Sequence, residues 1–308
     1  MSQIFVIHEN PNWLTPFSKA FHFRNEKFAD WNLISRSIDL SSNPPEGIFY
    51  NRMSASAHSR GHRYSPELAG ILIGWLEDNN RRVINSTRAL QLEISKAAQL
   101  TALASYDIPV PRTITANTND EVLNAVRKFS PRPVILKPNR GGKGLGVRLF
   151  HDTSIIEELL LAKAIEKSVD GVTLVQEYIA PYDGSITRAE FIGGEFLYAV
   201  KVDTRNGFEL CPADYCGVED EKSARKFEII RSIPVSLRDR LKAFLKHNNI
   251  EVAGVEFVTD QNGNDLVFDV NTNTNYNDAA EKVAGVNAPL ALVDFLISER
   301  KLNYPTIS

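Results

Sequence analysis

Cysteine is almost absent: the 308 residues contain two, Cys211 and Cys216. Their C-x4-C spacing has no second pair to complete a zinc site, and two thiols make no disulfide framework. Both are expected to be reduced, structural thiols. Long hydrophobic runs are also missing, since no stretch approaches the ~20 apolar residues that span a bilayer. The opening MSQIFVIHENPNWLTPF lacks the basic segment and long apolar core of a secretory signal. A cytoplasmic protein with no membrane partner is therefore expected. Positive charge is not in excess either: Lys and Arg number 35 against 38 Asp and Glu, a net charge of -3 with no basic run. That excludes a nucleic acid held by phosphate neutralisation, while a small polyphosphate needs only a local basic pocket. Hydrophobic residues at 43% and charged residues at 24% favour neither disorder nor a coiled coil. There is no internal repeat, no low-complexity tract and no stereotyped serine, cysteine or histidine triad.

What the chain does contain is VILKPNRGGKGLGVRLF, from Val134, which gathers Gly141, Gly142, Gly144 and Gly146 beside Lys137 and Lys143. Glycines let main-chain N–H groups approach an anion while lysines supply charge, so one answer is a phosphate. The Walker pattern requires Gly-Lys followed by Ser or Thr and a helix, but Lys143 is followed by Gly144, and G-x-G-x-x-G fails as well. VILK and GVRLF are rich in β-branched and aromatic residues and lack a helical period, which predicts a glycine flap joining two strands. An ordinary glycine-rich hairpin satisfies the same residues. A lysine taken alone reads as solvated surface, except Lys137, whose apolar strand makes an unpaired charge costly.

Periodicity elsewhere predicts a strand at QIFVIH, a helix over Thr15–Phe28, a strand at GIFYNR and a helix from Glu67. Further helices are expected over Ala89–Ser105, Asn119–Phe129 and Ser154–Ser168, the second capped by Thr118 or Asn119. From Val172 the pattern turns to strands, TLVQEYI, ITRAEFIG, EFLYAVKV, VAGVEFVT and LVFDVN, with helices near Val235–Asn248 and Pro289–Glu299.

In VAGVEFVTDQNGNDLVFDVN, Asn262-Gly263 signals a two-residue hairpin turn. Gln261 then faces Asn264, and counting back sets Glu256 opposite Asp269, with Asn271 on the same side of the sheet. Opposed carboxylates with Cβ atoms ~5 Å apart repel unless neutralised, and a divalent cation would do so. Oxygen ligands of this kind suit Mg²⁺ or Mn²⁺. A solvated acidic edge is the alternative.

Together these segments resemble the ATP-grasp superfamily, in particular the ribosomal-protein glutamate ligases and bacterial glutathione synthetases, over most of the chain from Phe49 to Asn277. The resemblance implies an α/β (α+β) ATP-grasp fold. An N-terminal α/β domain (1–85) would precede a central subdomain with the glycine flap (86–175) and a C-terminal subdomain with the metal site (176–308), the last two clasping ATP. LEISKAAQLTALASYDIPVPRT is similar to the segment whose helical lysine, here Lys96, reaches the phosphates. LKPNRGGKGLG supplies Lys137 and the flap residues Gly141, Gly142, Lys143, Gly144 and Gly146. QEYI resembles the adenine hinge, with Glu177 and Ile179 as main-chain partners and Gln176 and Tyr178 beside them. Arg188, in ITRAEF, is implied to reach the phosphates and act in catalysis with Lys137, and Lys201 stands where many relatives carry another arginine. Glu256, Asp269 and Asn271 correspond to the ligands of magnesium, two ions being expected. Relatives follow that Asn with a Ser/Thr-Pro-Gly turn, whereas this chain runs TNTNYN; Asn273, Asn275 and Asn277 would shape a different acceptor site, Asn273 as a catalytic residue, or simply form Asx turns.

The run YNRMSASAHSRGHRYSP offers Arg52 as a bidentate holder of a substrate carboxylate, with Ser54 or Ser56 as hydroxyl donors, or else a polar loop. His58 and His62 lack a third ligand for a metal. The resemblance implies an ATP-dependent carboxylate–amine ligase working through an acylphosphate, with small-molecule or peptide carboxylate and amine substrates and room for self-association. A kinase acting on a small-molecule hydroxyl and a non-catalytic ATP-binding regulator are the rival readings.

Overall fold

The protein is described by a computed structural model over residues 3–142, 144–205 and 227–305. The readings made for Lys143, Cys211 and Cys216 fall outside these residues. Strands β1 (Gln3–His8), β2 (Phe28–Asn32), β3 (Gly47–Asn51) and β4 (Arg82–Ile84) form a parallel sheet in the order β2-β1-β3-β4. QIFVIH and GIFYN are almost continuously apolar because both faces of this sheet are covered. Helix α2 (Ser65–Asp78) packs Leu72, Ile73 and Leu76 against Phe5, Ile7 and Phe49. On the other face, Ile4, Val6, Ile48 and Tyr50 meet α1 (Thr15–Phe23) and α9 (Ala288–Asn303). The helix expected to run to Phe28 stops at Phe23, because Asn25 takes a left-handed φ of 56° and turns the chain into β2.

Strands β5 (Thr113–Ala116), β6 (Val134–Pro138), β7 (Arg148–Phe150) and β8 (Thr173–Glu177) form the central antiparallel sheet in the order β5-β8-β6-β7. Helices α5 (Asn119–Arg127) and α6 (Ile156–Leu161) cover it through Val122, Val126, Ile156 and Leu160. Thr118 is the cap of α5, its hydroxyl accepting from Glu121 N. α6 is far shorter than the expected Ser154–Ser168 span: Lys163 is left-handed, and Ala164 N reaches back to Leu159 O, closing the helix.

The third sheet, β9 (Ser185–Ile192), β10 (Glu195–Asp203), β11 (Phe227–Ile230), β12 (Val252–Thr259) and β13 (Asp265–Asn271), is antiparallel in the order β11-β10-β9-β12-β13. One face packs on α3 (Thr87–Glu93), α4 (Lys96–Ala104) and α7 (Val235–His247), with Leu92, Leu103, Phe191, Leu241, Phe244 and Val255 at the centre. The helix expected over Ala89–Ser105 is thus two helices, broken at Ile94 and Ser95. Although numbered within the stretch expected to be the central lobe, both pack on the C-terminal sheet. α8 (Asp278–Ala284) was not anticipated; α9 lies between this sheet's other face and the N-terminal sheet. No helix among the described residues is long and apolar enough to cross a membrane.

Candidate active site

A cleft runs between the central and C-terminal sheets and is closed at one end by Trp13, Ser54 and Ser56 of the first lobe. Its chemistry is set by how α4 begins. The chain breaks before Lys96, and Ser95 caps the new helix by accepting from Ala98 N. Asn139, just past β6, holds the same helix start: its Oδ1 accepts from Ala97 N at 2.9 Å and its carbonyl from Lys96 N at 3.2 Å. Lys137 is two residues upstream on β6, so this junction brings both lysines to one wall. Gln99 then fastens α4 to β13, exchanging bonds with the N–H and C=O of Val270 at 2.9 and 2.7 Å.

Against the lysines packs the β12–β13 hairpin, where Glu256 does pair with Asp269. The predicted pairing is reached by a different route. The tip is a three-residue loop, since Asp260 N bonds Asn264 O and Thr259 pairs with Asp265, one residue out of the predicted register. A bulge at Phe268 takes up the offset and restores the pair. Lys96 Nζ lies 2.6 Å from Asp269 Oδ1, Lys137 Nζ donates to Phe268 O at 3.3 Å, and Asn271 Nδ2 is 3.5 Å from Glu256 Oε1. From β9, Arg188 donates to Glu256 and Glu190, each at 2.8 Å, and to Thr274 Oγ1 at 2.7 Å, while that hydroxyl donates to Glu190 at 2.8 Å. Gly254 makes this possible: a Cβ there would come within 2.6 Å of the guanidinium.

Burial and the repulsion of Lys96 bring the Lys137 ammonium down to about 8. Burial pushes Glu256 up to about 7, opposed by Arg188 and reinforced by Asp269. Burial would raise Asp269 too, but Lys96 and Lys137 outweigh it and its pKa is lowered. The wall therefore holds two adjoining carboxylates among three buried cations. Glu256 and Asp269 with the amide of Asn271 form an oxygen donor set that fits a hard cation; no cluster of three His, Cys, Asp or Glu occurs among the described residues.

The cleft also brings together Gly141, Gly142, Gly144, Gln176, Glu177, Tyr178 and Ile179, as expected from sequence, with Ser54 and Asn273. Gly142 comes so near the first lobe that a Cβ would lie 3.2 Å from Ser56 Cβ. Gln176 and Glu177 are fixed by bonds to Thr113 Oγ1 and Arg112 N, at 2.7 and 2.6 Å. Gly146 does not line the cleft; with a φ of 75° it turns the chain toward β7.

One expectation needs correction. Lys201 pairs across the sheet with Thr187, whereas Arg188 pairs with Val200, so alternation puts Lys201 on the opposite face from Arg188, where it ion-pairs with Asp183. Arg52 is 1% exposed and sits behind the wall, donating to Asn273 Oδ1, Thr274 O and Asn275 Oδ1 at 3.0, 3.2 and 2.8 Å. Asn277 caps α8 by accepting from Ala280 N, a structural task. His58 bonds Ala55 O, and no histidine lines the cleft among the described residues. Sequence reasoning passed over Glu93, which accepts from Ala55 N and Thr272 N, and Glu190, Asn139, Gln99, Thr274 and Gly254. For Glu190 the one available signal was its place two residues after Arg188 on a strand, which sets the two charges on one face.

Residues 94–296, well over half of the chain, match the RimK-like ATP-grasp domain. The chain belongs to the RimK-like ATP-grasp family. A probable alpha-L-glutamate ligase of Picosynechococcus is 25% identical over 212 residues, covering 69% of this chain and 66% of that protein. Another, from Mannheimia succiniciproducens, is 27% identical over 244 residues, covering 77% and 74%. This chain thus spans about two thirds to three quarters of the length of these relatives. Among solved structures, a RimK-domain ATP-grasp protein from Sphaerobacter thermophilus superposes with a TM-score of 0.69 at 17% identity, covering 96% of this chain and 99% of that one. The ATP-grasp ligase PsnB, complexed with a phosphomimetic variant of its minimal precursor, Mg and ADP, gives 0.66 at 18% identity, covering 97% and 98%. The α+β architecture is that of an ATP-grasp fold.

Proposed function

We propose that the protein is an ATP-dependent carboxylate–amine ligase, forming an amide bond through an acylphosphate with release of ADP and phosphate. The observation that carries this reading is the wall on which Glu256 and Asp269 adjoin while Lys96, Lys137 and Arg188 converge on them. A polyphosphate fits among such cations, and the hinge at Gln176–Ile179 closes the other end of the same cleft. Mg²⁺, expected as two ions held by Glu256, Asp269 and Asn271, would neutralise and orient the triphosphate. Lys96 and Lys137 hold the phosphate oxygens, and Arg188, freed from Glu256, meets the charge that develops on transfer. The glycine segment covers the nucleotide and keeps water from the acylphosphate. No covalent nucleophile is required, and among the described residues no histidine lines the cleft to serve as a kinase base, while Asp269 is engaged by Lys96. Asn273 and Ser54 face the acceptor side. The relatives' names point to an amino acid such as glutamate as one substrate, and PsnB's precursor to a peptide as the other.

The test is ADP and phosphate release by the purified protein, screened against pooled amino acids and peptides. Release should require Mg²⁺, a carboxylate and an amine, yield a product heavier by the condensed partner, and stop with EDTA. Lys137→Ala and Glu256→Gln should each lower turnover by at least about 10²-fold while the far-UV spectrum is unchanged. A phosphorylated acceptor without free phosphate, or nucleotide binding with no turnover on any pair, would defeat the proposal.

A further inference from the structure

Arg52 is a buried cation without a carboxylate. Among the described residues its guanidinium forms no ion pair; it is held by amide and peptide oxygens of Asn273, Thr274 and Asn275 and lies 4.1 Å over the ring of Phe17. Its Nη1 has no hydrogen-bond partner. Three more buried polar atoms in the same place are unpartnered: Asn273 Nδ2 and the hydroxyls of Tyr50 and Tyr276. The Arg52 guanidinium lies 6.0 Å from the centre of the Tyr50 ring. Burial pushes Tyr50 up to about 12 and Tyr276 well above its ordinary value, so both remain protonated and able to donate. A buried charge with neutral acceptors only, surrounded by idle donors, is costly unless something else satisfies it.

We infer that Tyr50, Arg52, Asn273 and Tyr276 form an anion subsite that takes the non-reacting carboxylate of a substrate. The free Nη1 and two phenols offer donors to both carboxylate oxygens, and charge assistance from the guanidinium strengthens the bond that Nη1 makes. Access is through Asn273 and Asn275, which line the cleft on one side and touch Arg52 on the other. The half-buried Asn275 amide oxygen occupies a guanidinium position that the incoming carboxylate takes over. The subsite adjoins the reacting centre through one residue: the Thr274 carbonyl accepts from Arg52 and its hydroxyl from Arg188. An amino acid anchored here by one carboxylate would present its other functional group to Arg188 and the metal ligands. This assignment rests on the ligase reading for the reaction, while its test reads binding.

With Mg·ADP present, ligand-observed NMR is recorded for the twenty L-amino acids, for short peptides with a free C-terminus, and for the α-amide of each. Carboxylate-bearing members should bind at least about tenfold more tightly than their amides. Arg52→Gln and Tyr276→Phe should abolish that preference while Mg·ADP affinity stays within about threefold. Whether free amino acids or peptide acids show the preference identifies the source of the carboxylate. Equal binding of acids and amides by the wild type, or a preference that survives in both variants, would overturn the subsite. Carboxylate-selective binding without amide formation would instead overturn the ligase reading and leave the subsite standing.

Discussion

Arg188 is held by Glu190, Glu256 and the Thr274 hydroxyl at once, and the space it fills exists because residue 254 has no side chain. In Gly254→Ala the new Cβ would meet the guanidinium, which cannot withdraw without losing one of those partners. Turnover should fall on the order of 10 to 10²-fold, because charge stabilisation depends on where the donor is aimed. Mg·ADP affinity should change little, since Lys96 and Lys137 stand on other elements. Steady-state ADP release beside an equilibrium nucleotide titration separates the two; wild-type turnover in the variant would show that Arg188 has no such positional role. At this scale the sequence was legible where chemistry forces a motif, as for Lys137, Glu256 and Asp269, whereas Lys96 was reached through the family resemblance. It was opaque for Gly254, whose meaning lies in a side chain distant in the sequence.

At the scale of elements, the join of β6 to α4 rests on one residue. Asn139 accepts from Ala97 N and from Ser95 Oγ and donates to Asp170 at 2.6 Å. Asn139→Ala should cost about 1 to 2 kcal/mol, as for a lost helix cap, and raise the KM for ATP because Lys96 and Lys137 lose their common anchor. Asn139→Asp keeps the acceptor for Ala97 N but sets a second carboxylate against Asp170, so it should recover none of the stability in urea melts at neutral pH. An alanine variant with an unchanged urea midpoint and unchanged KM would remove Asn139 from this role. The break that creates Lys96's position was hidden from periodicity, because apolar spacing continues through Ile94 and Ser95 as if one helix ran on. The hairpin was read correctly only in its outcome: the loop tip is one residue longer than the Asn-Gly signal implied, and the bulge at Phe268 cancels the difference. The strands β2, β4 and β11 went unread because Asp30 and Glu228 interrupt the apolar run in two of them and β4 has only three residues.

Across the whole molecule, α9 joins what the sequence keeps furthest apart. Leu292 and Leu296, both essentially inaccessible, share one core with Ile48 and Tyr50 of the first sheet and with Val200 and Val252 of the third. Its rim is fastened to the first lobe by Arg24 with Asp294, Arg300 with Glu26 and Arg82 with Glu299. No local pattern announces such a seam: a C-terminal amphipathic helix looks alike whether it closes one lobe or links two. Leu292→Ala should cost about 2 to 5 kcal/mol through lost burial and the cavity left behind. The three tryptophans, Trp13, Trp31 and Trp75, all lie in the first lobe, so their fluorescence reports that lobe alone while far-UV dichroism reports the whole chain. If α9 couples the lobes, both signals shift to lower denaturant together and keep one midpoint. A tryptophan transition left in place while the dichroism moves would mean that the first lobe stands independently, and that the wall formed by Trp13, Ser54 and Ser56 is positioned without α9.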